Sequence, residues 1–186
     1  MIVCALLCGV FAKCNVKGTS MAVLVKAAAD ETSECYQILD EGREFQKAQG
    51  FTQWTDDYPT LQTVKDDIAN GTGYVVKVDG QIAAYMCIDF SGEPCYDNIE
   101  GAWHSSDAYA VVHRMAYSSK FRGIGLSDQV FALIEKFCLE NDVHTIRVDT
   151  DFPNKRMQHI LDKMGYKQCG TIIFQGSGKI AYDKLL

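Results

Sequence analysis

The chain has 186 residues, of which 47% are hydrophobic and 23% are charged, and its net charge at pH 7 is −6. This length and composition are typical of a single globular domain with a full core. The acidic balance, together with the lack of a long basic stripe, argues against a nucleic-acid partner.

The eight cysteines form no C-x-x-C pair and no Cys/His cluster with zinc spacing. Several of them fall on apolar faces of predicted elements, where free thiols are common. We therefore expect reduced thiols, no bound metal and a cytoplasmic protein, rather than disulfides or a metal site.

Residues 1–20 differ from the rest of the chain, because an uncharged, mostly apolar run of twelve residues precedes a polar one. A signal peptide carries positive charge before its apolar run, but here Lys13 and Lys17 follow it. Twelve residues are also too few to span a bilayer as a helix. We interpret residues 1–20 as a poorly packed, non-essential extension, with secretion as the alternative. Met21 then opens a single domain over residues 21–186, and no membrane association is expected.

The first half of the chain predicts a strand, two helices and a hairpin, over residues 22–27, 31–49, 60–70 and 74–90. Asp30 and Thr60 precede the two helices as N-cap residues do, and Gly50 follows the first helix. Asp79-Gly80 between two β-rich runs is the signature of a type I′ hairpin turn.

The second half is organised around a strand, a tight loop and a long helix that begins at Leu126. The remaining predicted elements are a loop over residues 91–107, the central strand 109–117, a strand 145–150, a helix from Asn154 to Gly165, and closing strands 166–174 and 179–186 around Gly176-Ser177-Gly178. The order β-α-α-β-β-β-α-β-α-β-β predicts an α/β fold, with a central mixed sheet flanked by about four helices.

The loop over residues 118–125 combines basic residues with Gly123 and Gly125 immediately before the long helix. The first N–H groups of a helix lack partners and carry partial positive charge, so they suit an anion. Glycines let the backbone approach a phosphate closely. Taken alone, the spacing fits a phosphate site and a glycine-rich turn equally well.

Two motifs stand in order within these elements. The first is KFRGIG over residues 120–125; the second is a strand ending in VDT, then Asn154, then a helix ending in KMGY at Tyr166. Together they resemble the GNAT superfamily of N-acetyltransferases over roughly residues 22–186. The acetyl-CoA loop of that family usually begins with Gln or Arg, where Lys120 stands here. The resemblance implies the GNAT acyl-CoA N-acyltransferase fold and the use of acetyl-CoA as co-substrate.

The resemblance also implies how acetyl-CoA is held. The central strand splays from its neighbour, so that the backbone of Met115 and Tyr117 pairs with the pantetheine arm. The N–H groups from Arg122 to Ser127 cradle the pyrophosphate, and Asn154 faces the cofactor or simply caps its helix. The residues assigned to the cofactor are Met115, Tyr117, Lys120, Arg122, Gly123, Ile124, Gly125, Leu126, Ser127 and Asn154.

Acetyl transfer to an amine needs a base, because a free alkylamine is protonated near neutral pH. His113 is one candidate, placed by two-residue alternation on the same side of the central strand as Met115 and Tyr117. Asp149, near the end of the next strand, is the other. The structural alternatives are a satisfied histidine within the sheet and a carboxylate that anchors the following turn. Glu100, in the loop before the central strand, is a third candidate, which we interpret as a solvated charge.

The sequence lacks the general acid at its usual position in the family. Many GNAT members carry a Tyr four residues before the glycine of the last motif, where Leu161 stands here. The usual proton donor to the leaving thiolate is therefore absent, and proximity alone does not assign its role to Tyr166; Tyr182 is a weak candidate. Four aromatic residues in loops can line an acceptor pocket or merely cover the core: Trp54, Tyr58, Tyr96 and Trp103.

We expect an enzyme, an N-acetyltransferase that moves the acetyl group directly to a primary amine of a small molecule, peptide or protein. The rival interpretations are a non-catalytic acyl-CoA-binding or regulatory module, a different acyl donor or an oxygen acceptor, and nucleotide binding. Residues 51–59 and 91–107 are expected to select the acceptor. Relatives with this fold often dimerise, so a homodimer is an open alternative.

Overall fold

The computed structural model of the protein describes residues 12–15 and 21–186. The strands are β1 (Ala12–Asn15), β2 (Met21–Lys26), β3 (Gly73–Val78), β4 (Gln81–Asp89), β5 (Glu100–Gly101), β6 (Ala110–Tyr117), β7 (Thr145–Thr150), β8 (Lys167–Phe174) and β9 (Ser177–Leu185). The α-helices are α1 (Thr32–Ala48), α2 (Leu61–Ala69), α3 (Leu126–Glu140) and α4 (Lys155–Lys163). None of the described helices is both long and apolar enough to cross a membrane.

The described strands form one nine-stranded sheet in the order β1-β2-β3-β4-β6-β7-β9-β8-β5. The pairing is antiparallel throughout these strands except between β6 and β7, which are parallel. The predicted mixed sheet is therefore confirmed, and its single parallel junction lies at the centre of the order.

Helices cover both faces of the sheet. Val130 and Ile134 of α3 and Leu161 of α4 belong to the apolar cluster on one face. Leu39 of α1 and Val64 of α2 belong to a second cluster on the opposite face. Because each helix buries one apolar stripe against the strands, the sheet is the middle of three layers.

Two of the three predicted N-caps are confirmed. The side chains of Thr60 and Asn154 accept hydrogen bonds from the N–H groups of the third helical residues, at 3.2 and 3.1 Å. The cap predicted at Asp30 is wrong, because that residue lies within a short 3₁₀ turn before α1. Glu31 precedes α1 without a side-chain cap, and its carboxylate instead accepts the N–H of Ala28 at the start of the 3₁₀ turn, at 2.9 Å.

Two hairpin turns contain residues in the left-handed backbone conformation. Asp79 and Gly80 have φ values of +50° and +79°, so the predicted type I′ turn is confirmed. The closing turn is Gln175-Gly176, with φ values of +48° and +76°, and Ser177 already belongs to β9. The sequence predicted this turn over residues 176–178, one residue after its true start. The start was missed because Gln175, and not a glycine, occupies the first left-handed position.

Two strands were not predicted. The first is β1, which pairs antiparallel with β2 from Ala12–Leu24 to Asn15–Met21. Residues 1–11 and 16–20 lie outside the described residues, so the dispensability of residues 1–20 stays a prediction. The second is β5, which lies inside the predicted loop over residues 91–107 and pairs with β8. It has only two residues, too few for any alternating pattern to be visible.

Candidate active site

The centre of the sheet is open between β6 and β7. The two strands pair only at Ala110–Ile146 and Val111–Arg147, so the rest of β6 has no partner on that side among the described strands. The splay implied by the family resemblance is thus present. It leaves a gap that connects the two faces of the sheet, and the backbone of β6 borders this gap.

A β-bulge in β6 determines which side chains face which side. Arg114 has a φ of +54°, and β6 contains one extra residue relative to β4, since Cys87 pairs with His113 whereas Tyr85 pairs with Ala116. Directly opposite residues of antiparallel strands share a face. His113 therefore shares a face with Ala116 and the α1–α2 layer.

The prediction that His113 lies on the same side as Met115 and Tyr117 is therefore wrong. Met115 and Tyr117 pack against the cluster that includes α3 and α4. Simple two-residue alternation would place all three together, but the extra residue at Arg114 reverses the alternation. The side chains of His113 and Met115 thus project from opposite faces of β6.

A cleft of about 500 Å³ lies along the open edge of β6 at Met115, Ala116 and Tyr117. Its lining includes residues of α1 and α4 and the loop before α3. Every residue assigned to acetyl-CoA lines this cleft except Lys120 and Ile124. Lys120 is exposed, and the side chain of Ile124 is 61% exposed. The backbone of these two positions remains next to the cleft, because both belong to its loop.

The loop before α3 has free backbone donors. Gly123 and Gly125 have φ values of +82° and +77°, in the left-handed region that favours glycine. Among the described residues, the N–H groups of Gly123, Ile124 and Gly125 have no protein acceptor. The N–H of Arg122 is engaged, since it donates to the carbonyl oxygen of Ser119 at 3.4 Å. The available cradle thus begins one residue later than expected.

Arg122 is directed toward α1. Its guanidinium donates to the carbonyl oxygen of Glu41 at 2.9 Å and lies 4.8 Å from the centre of the Phe45 ring. Arg156, at the start of α4, approaches the same ring at 5.3 Å. Two cations therefore flank one aromatic ring at the wall of the cleft. Sequence reasoning missed Phe45 and Arg156, because residues far apart in the chain meet only after folding.

A smaller cavity of about 110 Å³ occupies the gap between β6 and β7. We call it the inner cavity. It shares five lining residues with the cleft, namely Gln46, Trp54, Met115, Asn154 and Met157. The cleft and the inner cavity therefore meet. Asn154 stands at this junction, where its amide nitrogen donates to the Gln53 side chain at 2.9 Å while its oxygen caps α4.

Both candidate bases line the inner cavity and lie next to each other. Nδ1 of His113 is 3.9 Å from Oδ1 of Asp149, and the two side chains are 13% and 7% exposed. Nε2 of His113 is 3.3 Å from Oε2 of Glu93. The hydroxyl of Tyr96 donates to Oδ1 of Asp149 at 2.8 Å. The imidazole thus lies between two carboxylates, and one of them faces the cavity.

The surroundings shift the acidity of both carboxyls. Burial raises the pKa of Asp149 above its ordinary value, although His113 and the Tyr96 hydroxyl partly offset this effect. The hydrogen bond with His113 lowers the pKa of Glu93. Asp149 is therefore the better proton acceptor of the two. Glu93 was not predicted, because it lies in a loop without a motif.

The other sequence candidates lie outside the inner cavity or cannot exchange protons. Glu100 is in β5, where its carboxylate accepts from the Thr171 hydroxyl at 3.3 Å. Tyr182 and Tyr166 are buried, and the hydroxyl of Tyr166 has no hydrogen-bond partner in the described structure. Leu161 lines the inner cavity and is apolar. The described part of the cavity wall thus contains no tyrosine at the position usual in the family.

The loop aromatics divide into two pairs. Trp54 and Tyr58 line the inner cavity, as expected for an acceptor pocket. Tyr96 and Trp103 lie behind it: Tyr96 holds Asp149, and the Trp103 indole donates to the Tyr96 carbonyl oxygen at 3.0 Å. Phe174, which sequence reasoning missed, is stacked on His113 with ring centres 5.7 Å apart.

One group of metal-ligating side chains lies away from the cleft. Nδ1 of His104 is 2.8 Å from Oδ1 of Asp183 and 3.4 Å from Sγ of Cys169. Asp183 also accepts the backbone N–H of His104 at 2.7 Å. These are hydrogen-bonding contacts that fix the loop before β6 to β8 and β9. Burial raises the pKa of the Cys169 thiol to about 12. The expected lack of a bound metal stays a prediction.

The chain is similar to known proteins. The model of the acetyltransferase (GNAT) family matches residues 29–166, so the chain belongs to this family. The superfamily and the fold expected from the sequence are thereby confirmed, and acyltransferase activity is the general activity of the family. No curated protein matches the chain.

Solved structures agree with this assignment. A GNAT-family acetyltransferase from Streptococcus agalactiae is 32% identical with a TM-score of 0.80, and the match covers 89% of this chain and 95% of that one. One from Listeria monocytogenes is 23% identical with a TM-score of 0.74, covering 94% and 99%. RimJ from Mycobacterium smegmatis, in complex with CoA-disulfide, is 12% identical with a TM-score of 0.62, covering 89% and 82%. The last two show the fold alone.

Proposed function

We propose that the protein transfers an acetyl group from acetyl-CoA directly to a primary amine. The observation that supports this proposal is the junction of the cleft with the inner cavity at the gap between β6 and β7. Free backbone donors lie at one end of this path, and the His113–Asp149 pair lies at the other.

The cleft provides what the donor requires. The N–H groups of Gly123, Ile124 and Gly125, together with the N-terminus of α3, would bind the pyrophosphate. The unpaired edge of β6 at Met115 and Tyr117 would pair with the amide groups of the pantetheine arm, as an added strand does. The thioester then lies at the gap, next to the inner cavity.

The inner cavity provides what the amine requires. An ammonium entering beside Asp149 gives up a proton to the His113–Asp149 pair, and the neutral nitrogen attacks the thioester carbonyl carbon. A backbone N–H on the open edge of β6 would stabilise the negative charge that develops on the carbonyl oxygen. The C–N bond forms as the C–S bond breaks, and the nitrogen releases its second proton to water. Since Leu161 has no proton to give, the thiolate leaves as such and is protonated by water.

Direct transfer is favoured over an acetyl-enzyme intermediate. Burial raises the pKa of Cys87 to about 11 and that of Cys138 to about 12, so both thiols stay protonated. Neither residue lines the cleft or the inner cavity. The donor and the acceptor must therefore be bound together, as the joined cavities permit.

The proposal is tested by following CoA release from acetyl-CoA with a panel of primary amines. We expect His113→Ala and Asp149→Asn to lower kcat/KM by at least about 100-fold, the usual contribution of a general base. Acetyl-CoA binding, measured by calorimetry, should stay unchanged, because both residues lie beyond the cleft. His144→Ala and Asp142→Asn are matched controls, since these side chains are 59% and 101% exposed. Full activity in both test variants would refute the assigned roles.

A non-catalytic acyl-CoA-binding module is the second candidate. The observation that favours it is Leu161, an apolar residue where many family members carry the proton-donating tyrosine. The same experiment separates the two candidates. Acetyl-CoA binding without CoA release for any amine would support the binding module.

A further inference from the structure

The cations that line the inner cavity are already paired. Nε and Nη2 of Arg114 donate to the two carboxylate oxygens of Asp67, at 3.0 and 2.6 Å. Its Nη1 donates to the hydroxyl of Tyr58 at 2.8 Å. The carboxylate of Asp67 also accepts the hydroxyl of Tyr85 at 2.7 Å. Arg114 thus has a bidentate partner and is not available to a carboxylate of the acceptor.

The second lining cation is Lys179, which is bound to Asp151. Among the described residues that line this cavity, Arg114 and Lys179 are the cationic side chains besides the titratable His113. His113 lies between the carboxylates of Asp149 and Glu93. Even a protonated His113 therefore leaves one net negative charge in this group, and Asp149 faces the cavity.

The remaining wall combines aromatic, aliphatic and neutral polar side chains, and the space is small. Trp54, Tyr58 and Phe174 line the inner cavity, and the rings of Tyr58 and Phe174 are 6.4 Å apart. The cavity has about 110 Å³ of space. An ammonium group is compatible with aromatic faces and with Asp149. A carboxylate placed here would lose its hydration and find no unpaired cation.

From these contacts we infer that the acceptor is a slim primary amine that carries no carboxylate or phosphate beside the reacting nitrogen. This inference rests on the proposed acetyl transfer to amines. It predicts that simple amines are better acceptors than the amino acids that differ from them only by a carboxylate. The selectivity comes from the paired state of Arg114 and Lys179, because an unpaired guanidinium or ammonium at either place would hold a carboxylate.

The test uses amines and amino acids that differ only in the carboxylate. Suitable pairs are pentylamine with norleucine and phenethylamine with phenylalanine, assayed by CoA release. We expect kcat/KM to be at least about tenfold higher for the amine of each pair. The amides of norleucine and phenylalanine restore the bulk without the charge and should react nearly as well as the amines.

The outcomes are distinct. Equal or faster reaction of the amino acids overturns the inference and leaves the proposed function intact. Amides that react as poorly as the acids also overturn it, because size and not charge would then exclude them. No CoA release with any of these amines, acids or amides, nor with the wider amine panel, overturns the proposed function and the inference with it.

A variant tests the cause of the selectivity. Asp67→Asn frees Arg114, so the ratio of kcat/KM between phenethylamine and phenylalanine should decrease severalfold. Asp151→Asn frees Lys179 in the same way and serves if the first variant does not fold. Asp40→Asn is the matched control, because Asp40 pairs with Arg43 outside the cavity. Comparing two substrates on one variant cancels any loss of folded protein. An unchanged ratio in both test variants overturns the inference.

Discussion

Asp149 occupies a site where its own charge is unfavourable. Burial raises its pKa above the ordinary value of 3.8, so the folded protein binds this proton more tightly than the unfolded chain does. The contribution of Asp149 to the free energy of unfolding is therefore greatest at low pH and decreases as the pH rises through the folded-state pKa. A buried carboxylate with this property is also a better base, so function and stability oppose each other here.

We predict that Asp149→Asn raises the free energy of unfolding at pH 7 while it lowers activity. Asparagine keeps an oxygen that can accept the Tyr96 hydroxyl and removes the buried charge. The gain should be small near pH 4 and grow as the pH rises, which urea unfolding at several pH values can follow. The exposed control Asp142→Asn should show no such gain. A destabilised Asp149→Asn protein at every pH would contradict this account.

Single residues were predictable where a local rule applied. Thr60 and Asn154 were recognised as helix caps because a cap needs only a polar side chain at one position. His113 and Asp149 were named separately, and folding placed them side by side. Glu93, Phe174 and the Arg114–Asp67 pair were missed, because their partners are remote in the chain and no motif marks them.

The loop before α3 and the turn between β3 and β4 offer a matched comparison of two elements. Gly123 and Gly80 have φ values of +82° and +79°, and an added Cβ at either would meet no atom of the described residues within 4 Å beyond its chain neighbours. Only backbone strain therefore opposes a larger residue. We predict that Gly123→Ala and Gly80→Ala each lower the free energy of unfolding by about 1–2 kcal/mol.

Only Gly123→Ala should also weaken acetyl-CoA binding, by roughly tenfold or more, because the N–H cradle for the pyrophosphate shifts. Calorimetric titration of both variants with acetyl-CoA checks this difference. If Gly80→Ala loses as much affinity as Gly123→Ala, or if neither loses any, the loop is not the phosphate site.

Helices and strands were predicted well where the spacing of apolar residues was strongly periodic. Each α-helix and the hairpin of β3 and β4 followed from apolar spacing and from turn residues. The bulge in β6 did not, because Arg114 is an ordinary residue held in a left-handed conformation by its neighbours. The consequence was large, since the one extra residue of this bulge changed the face on which His113 lies.

Because the sheet is open between β6 and β7, we expect the stability of the molecule to depend on the ligand bound in this gap. Acetyl-CoA that completes the edge of β6 should bind the folded protein only, and at 100 times its Kd it would add about 2.7 kcal/mol. For a domain of this size, we predict an increase in Tm of about 5–10 °C. Thermal unfolding with acetyl-CoA measures it, and ATP, which lacks pantetheine, is the control. An equal increase with ATP would favour nucleotide binding.

At the scale of the whole chain, two motifs in the right order were enough for the family and the fold, since both depend on backbone geometry that glycines and caps reveal. The acceptor was not predictable in this way. The inner cavity, which we propose as its pocket, is assembled from the loop with Trp54 and Tyr58, the bulge at Arg114, the end of β7 and the hairpin of β8 and β9. Their side chains meet only in three dimensions.

The bulge at Arg114 has a final consequence for how such a protein changes over time. Because it turns the His113 side chain away from that of Met115, most of the inner-cavity wall is formed by residues that do not line the cleft, and the two cavities meet at five shared residues. Mutations at Tyr58 or in the last hairpin, which line the inner cavity but not the cleft, can alter the proposed acceptor pocket while the cleft stays as it is. Under the proposed function, donor recognition can therefore be inherited while acceptor choice changes, so two proteins with this same cleft need not acetylate the same compound.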